Sequence, residues 1–366
     1  LASNIKKDIF YAREKNYASV REKSMFSENI PVEVYDNLIA AVHENMAPLQ
    51  KYFVLRKNIL NLDQLHIYDT SVPLVKDIHW HVGYDDSVKK IIDALQLLGP
   101  DYTKILRNGL IEDRWVDRYE SKGKRSGAYS SGCYDSNPFI LMNYREDNIN
   151  SMYTLAHEAG HSMHSFLSRK AQPYLYADYT IFVAEVASTF NEVLLTKHLL
   201  LQDISKSMKI YLICREIDNL RGTLYRQTMF AEFEHLVYAA AENDQPMTLD
   251  IFKKIYRKLL EKYFGEDTIL DDCLSIECFR IPHFYFSFYV YKYATGISAA
   301  YALADMVSEG GATELNDYLN FLKGGGSKYP IDLLKGAGVN MASPEPVHTA
   351  LKKFSALVNQ LEALTS

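Results

Sequence analysis

The chain has 366 residues, 48% hydrophobic and 23% charged, with 27 tyrosines and 17 phenylalanines. This composition excludes a disordered chain and supplies a substantial core. A net charge of −6 and a pI near 6.0 exclude a general electrostatic grip on nucleic acid or on an anionic membrane, so neither is expected as a partner.

Four cysteines, Cys133, Cys214, Cys273 and Cys278, are too few and too scattered for a disulfide framework and read as free thiols of a reducing compartment. No run approaches the roughly 18–20 apolar residues of a membrane span, and the start "LASNIKKDIF" lacks the apolar core of a secretory signal. The expected location is the cytoplasm. The first residue is not methionine, so an upstream part is expected.

In chain order, "VYDNLIAAVHENM" predicts a helix with Val34, Leu38, Val42 and Met46 on one face after Pro31, interrupted by Pro48. The 42–61 region predicts another. "SVKKIIDALQLLGP" predicts a helix that starts at Asp86 or Ser87 and stops at Gly99-Pro100. Between Tyr119 and Tyr144 the Gly- and Ser-rich stretch and the apolar run "FILMNY" predict one or two strands joined by turns. The basic "KGKR" inside it reads as a solvated turn. Near Lys323, "KGGGSKYP" lacks the spacing of a phosphate loop and reads as a flexible loop. The tail from Pro346 to Leu364 is again helical in pattern.

The chemistry lies in "HEAGHSMH", His157 to His164. From Ser151 to Leu167, Met152, Leu155, Ala156, Ala159, Met163 and Phe166 recur at helical spacing, predicting a core-facing helix. His157 and His161 then share a face with Cβ atoms about 5–6 Å apart, within reach of one ion. Glu158 is rotated by about 100° and contacts a water rather than the ion. Chance produces His-Glu-x-x-His in only about 1–2% of chains of this composition, but the motif still needs a third ligand. His164 lies about 10 Å of helical rise beyond His157, too far to share that ion, and reads as a polar neighbour or substrate-wall residue.

Glu185 supplies the third ligand. It sits in the apolar run "TIFVAEVASTFNEVLL", where a carboxylate is costly to bury unless paired or bound to a cation. Glu192, two turns further on, can hydrogen-bond a ligating imidazole from behind. Two imidazoles and a carboxylate suit one Zn2+ per chain and leave a position open for water. Glu158 is then placed to take that water's proton as it attacks a carbonyl and to pass one to the departing amine, which is peptide-bond hydrolysis.

Together "HEAGHSMHS", "FVAEVASTFNE" and "RIPHFYFSFYVYKYATG", with "GKRSGAYSSG" and "NPFILMNY" before them, resemble oligoendopeptidase F of the thimet-oligopeptidase-like zinc metallopeptidases, over nearly the whole chain. The resemblance implies a mainly α, zincin-like catalytic domain over residues 1–366, with a small β-sheet beside the active-site helix. Its β-containing segment would lie at about 110–146, its zinc-binding helices at about 150–200 and its aromatic oxyanion segment at about 280–300. Family members are longer at the N-terminus, so the resemblance also implies an N-terminal lobe beyond this chain.

The same resemblance assigns His157, His161 and Glu185 to the metal and makes Glu158 the general base. It implies short peptide substrates, which pair with a strand near the cleft, a role falling on parts of Ser126 to Tyr144, with Gly127, Ala128 and Tyr129 as the substrate-binding residues. It assigns substrate contact and oxyanion stabilisation to His283 and Tyr293, which makes His283 a substrate-binding residue as well. Taking the aromatic block as one helix puts Phe286, Tyr289 and Tyr293 on one side. Phe286 stands where the group pattern has a phenol, so either Tyr289 or Tyr285 serves instead or the enzyme is slower than its relatives. A zinc carboxypeptidase of similar architecture and a non-catalytic metal-containing peptide-binding scaffold are the competing readings.

Overall fold

Helix boundaries follow local chemistry wherever a cap or breaker is present. The N-terminal helices are α1 (Ala2–Glu14), α2 (Val20–Phe26), α3 (Val32–Glu44), α4 (Met46–Ile59), α5 (Tyr84–Ala94) and α6 (Pro100–Ile111). Then come α7 (Ile149–Ala171), α8 (Ile181–Leu200), α9 (Lys206–Leu220), α10 (Arg226–Glu242) and α11 (Leu249–Phe264). The last are α12 (Tyr291–Glu309), α13 (Ala312–Leu322), α14 (Pro330–Gly336) and α15 (Glu345–Thr365).

Val34, Leu38 and Val42 are buried on α3 as expected, but Met46 opens α4 instead of extending α3. Pro48 falls in the first turn of α4, where its missing N–H removes no helical hydrogen bond. α5 starts at Tyr84, before the expected Asp86 or Ser87, and ends at Ala94. A 3-10 turn, Gln96–Leu98, carries the chain to Gly99, whose φ of 89° suits a glycine, and Pro100 opens α6.

The strands are short: β1 (Leu65–His66), β2 (Val116–Asp117), β3 (Tyr129–Ser131), β4 (Phe139–Leu141) and β5 (Thr268–Ile269). β1 pairs in parallel with β5. The other sheet has the order β2-β4-β3, with β2 parallel and β3 antiparallel to β4. β3 and β4 fall within the expected stretch, while β2 precedes it. The two-residue β1 and β5 are too short to show a period of two in sequence.

The computed structural model describes residues 1–75, 78 and 80–366 and divides into two compact units. One comprises Leu1–Lys76, Ile213–Thr295 and Met341–Ser366. Its core forms where α3, α4, α10, α11 and α15 pack together, burying Tyr35, Leu38, Tyr52, Phe53, Leu260 and Phe354. The other comprises Asp77–Leu212 and Gly296–Asn340. It is built on the α7–α8 pair, with α5 and α13 packed against it and β3 and β4 against α7. Among the described residues no helix is long and apolar enough to cross a membrane.

Candidate metal centre

α7 starts where the Asn148 side chain accepts the Asn150 N–H, and it ends with Arg169 and Lys170 in its last turn, where cations suit the helix dipole. It buries Met152, Leu155, Ala156, Ala159 and Met163. α8 is apolar on most of its surface because it is covered on most sides; Phe182, Val183, Val186, Phe190, Leu194 and Leu195 are all buried. The two helices touch at Gly160, where a Cβ would lie 2.5 Å from the Ala187 carbonyl oxygen and 2.6 Å from the Ser188 Cα. One turn away, Asn191 Nδ2 donates to the Ala156 carbonyl at 3.1 Å, fixing the register of the pair.

That register brings His157, His161 and Glu185 together. His157 Nε2 lies 3.2 Å from His161 Nε2 and 3.3 Å from Glu185 Oε2, and His161 Nε2 lies 3.5 Å from Glu185 Oε2. A tetrahedral zinc with bonds of about 2.0–2.1 Å needs its donors about 3.3–3.4 Å apart, so this triangle fits the ion. On its other side, His157 Nδ1 is 2.8 Å from Glu192 Oε1, which directs Nε2 toward the triangle. Burial opposes a charge on His157, but hydrogen bonds to Glu185 and Glu192 outweigh it and lift its pKa to about 10. For Glu185 burial works upward, yet the two imidazoles bring the carboxyl far below its ordinary range. A cation in the triangle would displace the His157 proton and take over its part in offsetting the carboxylate charge.

Glu158 follows His157 on α7 and is not one of the three converging donors, but it lies close enough to feel the charges of all three. It is buried, and burial raises its carboxyl above the ordinary value, partly opposed by His157 and His161 and by a hydrogen bond from the Ser130 backbone N–H. Ser130 belongs to β3, and its Oγ is 2.9 Å from Ser162 Oγ on α7, so the strand is pinned to the histidine helix. In the order β2-β4-β3, β3 is an edge strand that pairs only with β4 among the described residues, and it lies against α7. Of the residues expected to meet substrate, Gly127 makes the turn into β3 with φ of 84°, Ala128 follows it, and Tyr129 opens the strand half-exposed. Asn143 Nδ2 steadies that turn by donating to the carbonyls of Arg125 and Gly127 at 2.9 and 3.1 Å.

Two expectations need correction. His164 is no substrate wall: it is 1% exposed, its ring stacks on Tyr179 at 3.7 Å, and Phe321 lies 5.4 Å away. Burial pushes its pKa down to about 3, making it a neutral core residue. The aromatic block is also not one helix. Pro282–Tyr285 forms a 3-10 turn, Phe288 takes φ of 53°, and α12 starts only at Tyr291. Helical phase therefore does not relate Phe286 to Tyr289 and Tyr293. Phe286 and Tyr285 are exposed, whereas His283, Tyr289 and Tyr293 gather. Tyr293 OH is 3.2 Å from His283 Nε2, and the Tyr289 ring lies 5.7 Å from His283 and 5.6 Å from Tyr293.

Sequence reasoning missed the serines and the asparagine around the candidate metal centre. Ser188 Oγ lies within 3.0 Å of both the Glu185 carbonyl and Glu185 Oε2, where its hydroxyl can hold the carboxylate in place. Its position three residues after Glu185 was the available signal. Asn191 and Ser162 carried none, because each acts on another element.

The model of peptidase family M3 matches residues 1–353. Oligopeptidase PepF of Bacillus subtilis is 48% identical over 364 residues, covering 100% of this chain and 54% of that protein. An oligoendopeptidase F homolog of Borreliella burgdorferi is 42% identical over 364 residues, 100% of this chain and 62% of that protein. Among solved structures, a putative peptidase from Chlamydophila abortus superimposes with a TM-score of 0.93 at 42% identity, covering 99% of this chain and 60% of that one. The oligoendopeptidase-F of Enterococcus faecium gives 0.79 at 32% identity, over 98% and 58%. The chain thus spans between half and two thirds of the length of these relatives. With the mainly helical fold, the paired histidine and glutamate helices and a family match over nearly its full length, the chain belongs to peptidase family M3.

Proposed function

We propose that this chain is the catalytic portion of a zinc-dependent endopeptidase that cuts internal bonds of short peptides, with residues 1–366 acting as one catalytic domain. The observation that carries the reading is the triangle of His157, His161 and Glu185, with Glu158 next to it on the same helix. Bound there, one zinc ion would polarise the scissile carbonyl and lower the pKa of a water toward about 7. Glu158 takes the proton of the attacking water and delivers one to the leaving amine. Glu192 holds the His157 ring through Nδ1, and Ser188 steadies Glu185.

The outer edge of β3, entered through Gly127, Ala128 and Tyr129, offers backbone groups to an extended peptide, which is how an oligopeptide is held without a sequence-specific pocket. His283 and Tyr293 donate to the developing oxyanion, each worth about 3 kcal/mol of barrier, and the resemblance together with their 3.2 Å contact supports the pairing. Tyr289, packed on both, supplies the further phenol, and Phe286 takes no part.

Mass-spectrometric mapping of the products of one defined peptide tests the reaction class. Internal cleavage at one or two bonds is expected. Stepwise loss of C-terminal residues would make the chain a carboxypeptidase, and binding without products would make it a scaffold.

A further inference from the structure

Phe288 breaks the aromatic block in a way its sequence does not explain. Left-handed backbone is unfavourable for a bulky residue, yet Phe288 takes φ of 53° while 3% exposed. Its ring is fixed by Tyr35 at 5.6 Å and Tyr238 at 5.1 Å. Its N–H donates to Glu234 Oε1 at 3.0 Å, reaching 54 residues back to α10.

Glu234 is itself unusual. It is 1% exposed, and its second carboxylate oxygen meets no hydrogen-bond partner among the described residues. Burial holds its carboxyl well above the ordinary range, and the nearby Asp8 carboxylate adds to the rise. A buried acid of this kind is a liability for stability. The bond it makes lies in the segment that joins the turn carrying His283 to the helix carrying Tyr293.

The flanks of that segment are anchored separately. Phe284 packs on Phe230 and Phe233 at 5.4 and 5.0 Å, and Lys292 pairs with Glu28 at 2.5 Å. With both flanks held, the backbone conformation at Phe288 decides whether His283, Tyr289 and Tyr293 meet. We propose that Glu234, through its hydrogen bond to the Phe288 amide, is the positioning residue that sets the His283–Tyr289–Tyr293 cluster. The effect on catalysis rests on reading His283 and Tyr293 as oxyanion donors.

Two variants and two readouts test this. Glu234→Gln keeps an oxygen able to accept the Phe288 N–H, whereas Glu234→Leu has similar bulk and no acceptor. In Glu234→Leu, hydrogen exchange across residues 286–290 accelerates while the α10 core stays protected, and kcat falls by about 10- to 100-fold with KM little changed. Glu234→Gln restores both local protection and kcat to within about threefold of the original. The proposal is overturned if Glu234→Leu leaves the segment protected, if exposure of the segment leaves kcat unaltered, or if Gln fails to rescue in a folded protein. His283→Ala run in parallel separates the two levels. If it leaves kcat intact, the oxyanion reading fails, while the exchange data still score whether Glu234 holds the segment.

Discussion

Glu158→Gln reduces kcat/KM by about 10²- to 10⁴-fold while the protein still takes up one zinc per chain. The expectation follows from the geometry of α7. His157, His161 and Glu185 converge and Glu158 does not, so exchanging its carboxylate for an amide removes a base without removing a ligand. Glutamine fills nearly the same buried volume, and its carbonyl oxygen can still accept the Ser130 N–H, so the β3 contact and the fold survive. Metal analysis beside the rate of peptide cleavage checks it. A variant that retains zinc and cleaves within tenfold of the original rate would remove Glu158 from the reaction.

Gly160→Ala destabilises the protein by about 2–3 kcal/mol and weakens zinc binding, although alanine favours a helix interior by about 1 kcal/mol. The new methyl would sit 2.5 Å from the Ala187 carbonyl, so α8 has to move away from α7. Glu185 is on the helix that moves and the two histidines are on the helix that stays. A displacement of half an ångström is enough to spoil the triangle, since metal–ligand distances tolerate only about 0.2 Å. Gly222→Ala is the control, because a Cβ there meets nothing within 4 Å. Denaturant melts and competition with a metal-binding dye give both quantities. Equal behaviour of the two variants would show that the helix contact is softer than its geometry indicates.

The convergence of the candidate metal ligands is legible in the sequence because its determinants are local. His157 and His161 are one turn apart on a helix whose apolar period is plain, and Glu185 stood out as an acid in an apolar run. Glu192 followed from the same periodicity. What the sequence hid depends on distant partners. Gly160 reads as an indifferent helix residue until α8 lies across it. His164 resembles a member of the polar constellation because its burial is made by Tyr179, beyond the end of α7, and by Phe321 on α13.

The aromatic block was misread for a related reason. No glycine or proline lies between Phe284 and Tyr293, so nothing local breaks a helix there. The break comes from a hydrogen bond to Glu234 and from the packing of Phe288 on Tyr35 and Tyr238. Pro48 is the converse case. It was read as an interruption, but the same ring geometry that stops a helix also suits the first turn of the next one.

If His157, His161 and Glu185 hold a zinc ion with which this chain breaks internal peptide bonds, activity must follow the metal. The direct measurement is cleavage of a short, internally quenched peptide by the chain as purified, after complete chelation, and after zinc is returned to the chelated protein. Cleavage is expected to disappear with the metal and to recover when zinc is restored. Cleavage that persists in metal-free protein, or a folded, zinc-loaded chain that leaves the peptide intact, would contradict that expectation.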